Sequence, residues 1–459
     1  MNTLITISIL AIIVLYLGLY KAKKFLLPVT LVGLAIAVVF EILDWGKIAT
    51  PIYNGMMLFD SFSIAFSSLC IVSTILILII SRDYFERICE HVAECYTIIL
   101  FALAGIVVMV SYHNLTMLFI GIEIMSVSLY ILAGIRKSDF SSNEAALKYF
   151  LMGAFSTGFL LFGITLIYGV TASFDLEIIK QYLISNTANI SPLFYGGVLL
   201  IIIGLCFKIG AAPFHFWTPD VYEGSPILIT TFMSTVVKTA AFAAFLRLFL
   251  VAFEPLHDFW MQPLLVITVI TLLVGNITAV YQTSFKRMLA YSSISHAGYM
   301  LFAMISLSNT SVNAVFVYAA AYSIASIIAF AVLILVKRQT GSENFDAFNG
   351  LYNKNPFLAI VLTVSMLSLA GIPLTAGFIG KFLMFSNAIS QYHVWLVVIA
   401  VINATIGVFY YLRVIISMYF KDTDRMEIVP SINYKIVLGL SALATIILGV
   451  YPDLISSLF

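Results

Sequence analysis

Seven ionisable residues of this 459-residue sequence stand where apolar residues surround them: Glu123, Lys148, Lys208, Lys238, Arg247, His296 and Lys381. Glu123 lies in Gly121-Ile122-Glu123-Ile124-Met125, and His296 in Ser295-His296-Ala297-Gly298. A lysine withdrawn from water loses preference for its charged form, and a nearby carboxylate restores it. An amine held between these two influences takes up and releases a proton near neutral pH. Arginine cannot, because guanidinium does not deprotonate in proteins. The chemistry this set predicts is stepwise proton transfer.

The elements that must hold these side chains follow from composition. Hydrophobic residues make up 62% of the chain and charged residues 10%, against ~25% charged in a soluble domain. A mean hydropathy of +1.08 means more apolar residues than one core can take, so many face lipid. A spanning helix needs ~20 mostly apolar residues, and backbone in lipid must satisfy its own hydrogen bonds. Fourteen spans are predicted, with cores near 3–20, 26–43, 60–81, 95–112, 115–134, 145–170, 193–212, 226–252, 261–281, 287–306, 311–336, 357–384, 393–418 and 435–455. The expected fold is an all-α polytopic membrane protein. The first span has no basic region before it and no small-residue cleavage site after it, so a retained helix is expected there.

With the N-terminus outside, sixteen lysines and arginines fall in inside segments, from Lys21 to Arg425 and Lys435. Only Lys47 and Lys180 fall outside. This bias predicts both termini on the outer side. Of the 23 cations five remain, Lys148, Lys208, Lys238, Arg247 and Lys381, all within predicted spans. A charge at the bilayer centre costs at least ~2.5–3.5 kcal/mol on insertion scales and marks an ion path by default. Plainer roles compete at some positions. Lys148 follows Glu144 by four residues, the favoured order for a helical ion pair. Arg247 is near the outer end of its span and can snorkel. His296 is open to a role as a hydrogen-bonded core histidine. For Glu123, Lys208, Lys238 and Lys381 the expected depth makes an inert role hard to sustain.

Other chemistries find no support. Cys70 and Cys206 lie in apolar runs, and Cys89 and Cys95 beside a charged loop without metal-ligand spacing, so no disulfide or iron–sulfur framework and no metal site is expected. No phosphate-binding glycine loop or dinucleotide fingerprint is present, so no bound cofactor is expected. A net charge of +1 gives no electrostatic case for nucleic acid.

Glu123 and His296 are 173 residues apart, and so are Lys208 and Lys381. Both offsets span five helices, an odd number, which is the arithmetic of an inverted repeat of two five-helix bundles, spans 4–8 and 9–13. Each bundle carries one span broken by proline, Pro213 just beyond Lys208 and Pro373 just before Lys381. The implied organisation is 1–92 for the first three spans, 93–254 and 255–420 for the two repeats, and 421–459 for the last span.

The segments Glu144–Gly153, Lys208–Pro226, Phe285–Tyr299 and Ser368–Phe382 resemble the antiporter-like membrane subunits of respiratory complex I. The string Trp217–Pro226 (WTPDVYEGSP) is most similar to the N branch of that family, and the resemblance covers nearly the whole chain. It implies a proton-translocating subunit of NADH:quinone oxidoreductase. Glu123 would be the carboxylate that modulates a neighbouring lysine, Lys208 the lysine of the inner half-channel, Lys238 and His296 the connecting residues, and Lys381 the lysine of the outer half-channel. The NADH, FMN, iron–sulfur and quinone chemistry would lie on other subunits. Partners would be the other membrane subunits, the peripheral redox arm at a distance, and lipid. A bacterial inner membrane is the expected location, ahead of a mitochondrial one. The rival readings are a subunit of a multi-subunit cation/proton antiporter, a hydrogenase or photosynthetic relative with another electron donor, and an inert scaffold.

Overall fold

In the computed structural model, residues 1–186, 189–308, 310–390, 393–422 and 428–456 are described. Arg425, counted above among the inside cations, lies outside them. The described residues form helices joined by short connections and isolated bridges. In chain order they are α1 (Asn2–Leu19), α2 (Lys23–Asp44), α3 (Ser61–Ile79), α4 (Arg82–Ile88), α5 (Val92–Ser111), α6 (Leu115–Ala133), α7 (Phe140–Thr171), α8 (Leu176–Ser185), α9 (Pro192–Ile209), α10 (Trp217–Gly224) and α11 (Ile227–Phe232). Then follow α12 (Lys238–Val251), α13 (His257–Val280), α14 (Phe285–Met300), α15 (Phe302–Ile305), α16 (Ser311–Thr340), α17 (Leu351–Lys354), α18 (Pro356–Ala370), α19 (Ala376–Ser390), α20 (Val394–Phe420), α21 (Ile432–Val450) and α22 (Asp453–Ser456).

Among the described residues, 13 helices are long and apolar enough to cross a membrane, counting α11–α12 and α14–α15 as continuous spans. The twelfth predicted span, near 357–384, is not one helix but two, α18 and α19, parted at Gly371–Thr375. Local sequence sets the helix starts. Asp60, Asn114, Asp139, Ser284 and Asn355 each accept a backbone N–H of the first turn, at α3, α6, α7, α14 and α18. Such caps satisfy donors that a helix leaves unpaired. Asp139 also explains why α7 begins five residues before the predicted core at 145.

Layering follows from which helices are enclosed. In α14–α15 and in α16, 94% of the residues of the most apolar stretch are buried, against 28% in α1 and 33% in α2 and α21. The enclosed helices therefore form a central axis, and the others present apolar faces outward. Burial is also where the polar residues go: Ser292, Ser293, Ser295 and His296 of α14 are all within 3% of complete burial.

Two spans are broken. α9 ends at Ile209 with Gly210 in the left-handed region (φ 72), and α18 ends at Ala370 with Gly371 likewise (φ 83). Left-handed backbone favours glycine, which has no Cβ to clash. Pro213 and Pro373 follow each of these glycines, as the sequence predicts. Groups freed by a break need partners. At the first, the Ala212 N–H donates to Thr271 Oγ1 of α13 (2.9 Å) and the Trp217 indole to the Phe207 carbonyl (3.0 Å).

A third irregularity lies in the eighth span. α11 passes through a π-helical turn, Met233–Val237, before continuing as α12 from Lys238. π-turns inside helices are rare and gather at functional sites.

Arg247 does not snorkel. It is 4% exposed, its guanidinium pairs with Asp60, and it donates to the carbonyl of Tyr112 (3.2 Å) with the Phe62 ring 4.8 Å away. It ties α12 to the entrance of α3. Replacing Arg247 with leucine strands the Asp60 carboxylate. Asp60 is 32% exposed, so water meets part of the loss. A destabilisation near the lower end of the ~3–5 kcal/mol seen for broken buried pairs is expected. Thermal denaturation of the purified assembly, wild type against Arg247→Leu, measures it.

Candidate functional site

The lysines found in the sequence sit inside the protein. Lys208, Lys238 and Lys381 are each at most 7% exposed, and His296 is 3% exposed. Each is placed by a different element: Lys208 by the last turn of α9 before the first break, Lys238 by the start of α12 after the π-turn, His296 by α14, Lys381 by α19 after the second break.

Lys208 Nζ donates to Ser126 Oγ of α6 at 2.9 Å. Glu123 lies three residues before Ser126 on the same helix, half-buried, and its Oε1 accepts no hydrogen bond from the described residues. The carboxylate is thus a neighbour of the lysine and not its hydrogen-bonded partner; the serine holds the amine. Beyond Lys208, Trp217 stacks on Tyr149 (ring centroids 4.8 Å) and meets Tyr222 edge-on (6.0 Å). Trp217 also stacks on Phe207, the residue before Lys208 (centroids 5.3 Å).

Lys238 Nζ donates to the Ser293 carbonyl at 2.5 Å and also bonds Ser293 Oγ. It stands 5.9 Å from the Tyr322 ring, which packs on the imidazole of His296 (centroids 4.8 Å). His296 is held between two phenols, Nδ1 to Tyr318 OH at 2.7 Å and Nε2 to Tyr411 OH at 3.1 Å. Tyr411 in turn bonds Ser292. A neutral imidazole donates at one nitrogen and accepts at the other. With a hydroxyl on each side, His296 can receive a proton at one edge and release it at the opposite edge. The hydrogen-bonded core role and the relay role are therefore the same geometry.

Lys381 Nζ donates to the carbonyls of Leu369 (3.0 Å) and Ala370 (2.8 Å), the last two residues of α18. The helix break leaves these carbonyls without an intrahelical donor, and the lysine supplies one. Its amine also lies 4.9 Å from the Tyr299 ring, whose centroid is 6.0 Å from that of His296. The apolar stem passes directly over Gly371, where an added Cβ would meet Lys381 Cδ at 2.8 Å. Lys238, His296 and Lys381 are thus linked through tyrosines and serines of α14, α16 and α20.

Lys148 and Glu144 lie elsewhere. Lys148 is 42% exposed and pairs with both Glu144 and Asp220, each at 2.8 Å. Arg287 joins Asp220 (3.2 Å) and Glu223. They border an open vestibule of about 440 Å³, lined by five basic residues (Arg136, Lys148, Lys286, Arg287, Lys337) and five acidic ones (Asp139, Glu144, Asp220, Glu223, Glu343).

Sequence reasoning missed Lys286. Counted as a loop cation, it is 1% exposed and donates to the carbonyls of Glu223 (2.8 Å) and Ser225 (2.6 Å), with Glu343 at 3.8 Å. It also missed Glu41 of α2, 2% exposed and hydrogen-bonded by Ser67 (2.9 Å), and the tyrosines around His296. The run Ser292-Ser293-Ile294-Ser295-His296, small and polar within a span, was the available signal for the α14 partners.

Residues 112–407 match the family described as NADH:quinone oxidoreductase/Mrp antiporter, TM. NADH-quinone oxidoreductase subunit N of Flavobacterium psychrophilum is 41% identical over the full length of both chains. Its counterpart in Cytophaga hutchinsonii is 40% identical over 99% of this chain and 98% of its own. A chain of respiratory complex I from Thermus thermophilus, solved with bound aureothin, is 32% identical, with TM-score 0.85 over 99% of this chain and 98% of that one. A chain of the Mrp complex from Dietzia superposes with TM-score 0.89 over 99% of this chain and 95% of that one. At 17% identity the latter shares the fold alone.

Proposed function

This chain belongs to the NADH:quinone oxidoreductase/Mrp antiporter membrane family, and on that premise we propose that Lys208, Lys238, His296 and Lys381 form its proton path. It is an antiporter-like, proton-translocating membrane subunit of bacterial respiratory complex I, set among the other membrane subunits of that complex. The observation that carries the path is the set of three buried amines, with an imidazole clasped by two tyrosines between the last two.

In this reading a proton enters from the side carrying the charged vestibule and is held at Lys208. A change in the charge of Glu123 shifts how firmly the amine keeps it. Lys238 passes the proton at the Ser293 hydroxyl to His296, which Tyr318 and the Tyr411–Ser292 pair hold on its two edges, and Lys381, whose amine lies against the Tyr299 ring beside His296, takes it out. The two broken helices support an organisation in two repeats, 93–254 and 255–420, each contributing one break beside one lysine. The chain itself acts without a redox group; NADH, FMN, iron–sulfur clusters and quinone belong to partner subunits. The Lys/Arg bias supports both termini on the periplasmic side of the inner membrane. Moving a charge against the membrane potential costs ~2.3 kcal/mol per 100 mV, so quinone reduction elsewhere in the complex must drive the path.

The test is isolation of the tagged chain from its own membranes. It is expected to copurify with NADH-oxidising iron–sulfur subunits, and its deletion should abolish NADH-driven acidification of inverted vesicles. Copurification with cation/proton antiporter subunits instead, with sodium–proton exchange that ignores NADH, would sink the proposal in favour of the antiporter reading.

A further inference from the structure

Away from the proton path, two thiols meet in an arrangement that neither the helices nor the path requires. α4 ends at Ile88, Cys89 closes it in extended backbone, and His91 precedes α5. Cys95 lies in the first turn of α5 with its side chain fully buried, and its Sγ is 2.7 Å from the Sγ of Cys89. A disulfide bond is ~2.05 Å long, so the two sulfurs need to close by only about 0.7 Å. Both are free thiols.

Access is asymmetric. A cavity of about 160 Å³ is bordered by Cys89, Glu90, His91 and Glu94 on one side and by Arg136 and Lys137 on the other. Cys89 borders it; Cys95 does not and lies behind. The Lys/Arg bias assigns this corner to the inner side. There, disulfides are transient and serve sensing or catalysis, because the compartment keeps thiols reduced. The expectation that no disulfide framework holds this protein together is unaffected by a pair that opens and closes.

We propose that Cys89 and Cys95 are a reversible oxidation site, converted to a disulfide by hydrogen peroxide that reaches Cys89 through this cavity. The Cys89 sulfur attacks one peroxide oxygen, the O–O bond breaks, and Cys89 becomes a sulfenic acid with release of one water. Cys95 Sγ then attacks the Cys89 sulfur, the S–O bond breaks, a second water leaves and the S–S bond forms. Two thiols give up two hydrogens and two electrons, and one peroxide becomes two waters. A small dithiol reverses the step by exchange. The ring so closed contains His91 at the entrance of α5 and fastens the α4–α5 corner beside Arg136. That arginine lines the charged vestibule as well, so oxidation reaches the rim of the proposed proton inlet.

The experiment treats the intact complex in membranes with hydrogen peroxide, blocks remaining thiols with N-ethylmaleimide, and digests without reduction using a glutamate-specific protease. Cleavage after Glu90 and Glu94 separates the two cysteines, so only a disulfide keeps their peptides together. A linked species lighter by two hydrogens is expected, absent after dithiothreitol and absent in Cys89→Ser and Cys95→Ser. Buried Cys70 and Cys206 should remain alkylatable thiols once the protein is unfolded. The proposal is overturned if both thiols stay alkylatable at a peroxide dose that fully oxidises an added reference dithiol. It is equally overturned if Cys89 advances to sulfinic acid with no linked peptide.

Discussion

Replacing Lys381 with alanine should cut proton translocation by the assembled complex roughly ten-fold or more, equivalent to ~1.4 kcal/mol or more on the limiting step. Among the described residues the amine is the donor to the carbonyls of Leu369 and Ala370, and it is the last titratable group of the proposed path. Loss of the hydrogen bonds and loss of the relay are separable. Arginine at 381 keeps a positive donor near those carbonyls but does not release its proton. Lys381→Arg should therefore assemble normally and still fail to pump, whereas a purely structural lysine would be rescued by it. Lys208→Ala is expected to behave like Lys381→Ala, because Ser126 holds the amine but cannot replace it as a charge carrier. Acidification of inverted vesicles, quinone reductase rate and subunit abundance, measured together, decide the matter. Full-rate pumping by either alanine variant in a normally assembled complex would leave the scaffold reading standing.

A methyl group at Gly377 should be nearly as damaging. Gly377 is the second residue of α19, and its N–H donates to Ser368 Oγ (3.1 Å) across the second break. A Cβ there would fall 1.9 Å from the Ser368 carbonyl oxygen and 2.7 Å from its carbon. Backbone cannot yield as a side-chain tip does, so the two half-helices must part. Lys381 is one turn further along the same face, and the displacement carries its amine off the carbonyls of α18. Overpacking of a well-filled interior costs ~1–3 kcal/mol, to which the loss of two charge-assisted hydrogen bonds adds. Gly377→Ala is expected to lower both assembly and pumping. Gly158→Ala, where an added Cβ meets nothing within 4 Å, is expected to change neither. Equal behaviour of the two variants would refute the tight-contact argument.

These predictions rest on features that the sequence reveals unevenly. Span number is legible because lipid demands long apolar runs, and Lys208, Lys238 and Lys381 are legible because a charge in such a run has no cheap explanation. Lys286 is illegible for the converse reason. It lies beside Arg287 at a span boundary, where a cation is ordinary, and the carbonyls of Glu223 and Ser225 at the end of α10 that receive it are far away in sequence. Arg247 is seen as a buried cation, but its partner Asp60 is 187 residues away and nothing local announces it. Tyr318 and Tyr411 are hidden by their rings: in a chain with 24 tyrosines and 37 phenylalanines, aromatic residues signal packing first. Ser126 fails to stand out because a lone hydroxyl in a helix usually bonds its own backbone, as this one also does to Ile122. The sequence exposes groups that are expensive to bury, and it conceals the cheap groups that make their burial tolerable.

The π-turn at Met233–Val237 carries a consequence for how this protein can change over time. A π-turn holds one residue more than the α-turn it replaces, and each residue advances an α-helix by ~100°. Everything beyond the turn is thus rotated by about that angle relative to an uninterrupted helix. Lys238, the first residue past it, faces Ser293 because of that extra residue. In this stretch the spacing of the chain is therefore guarded more strictly than its spelling. A substitution within Met233–Val237 trades one small or apolar side chain for another, whereas the loss of a single codon would swing Lys238 away from α14. A deletion in the turn therefore costs the placement of Lys238, whereas a volume-conserving exchange of its buried side chains costs only packing.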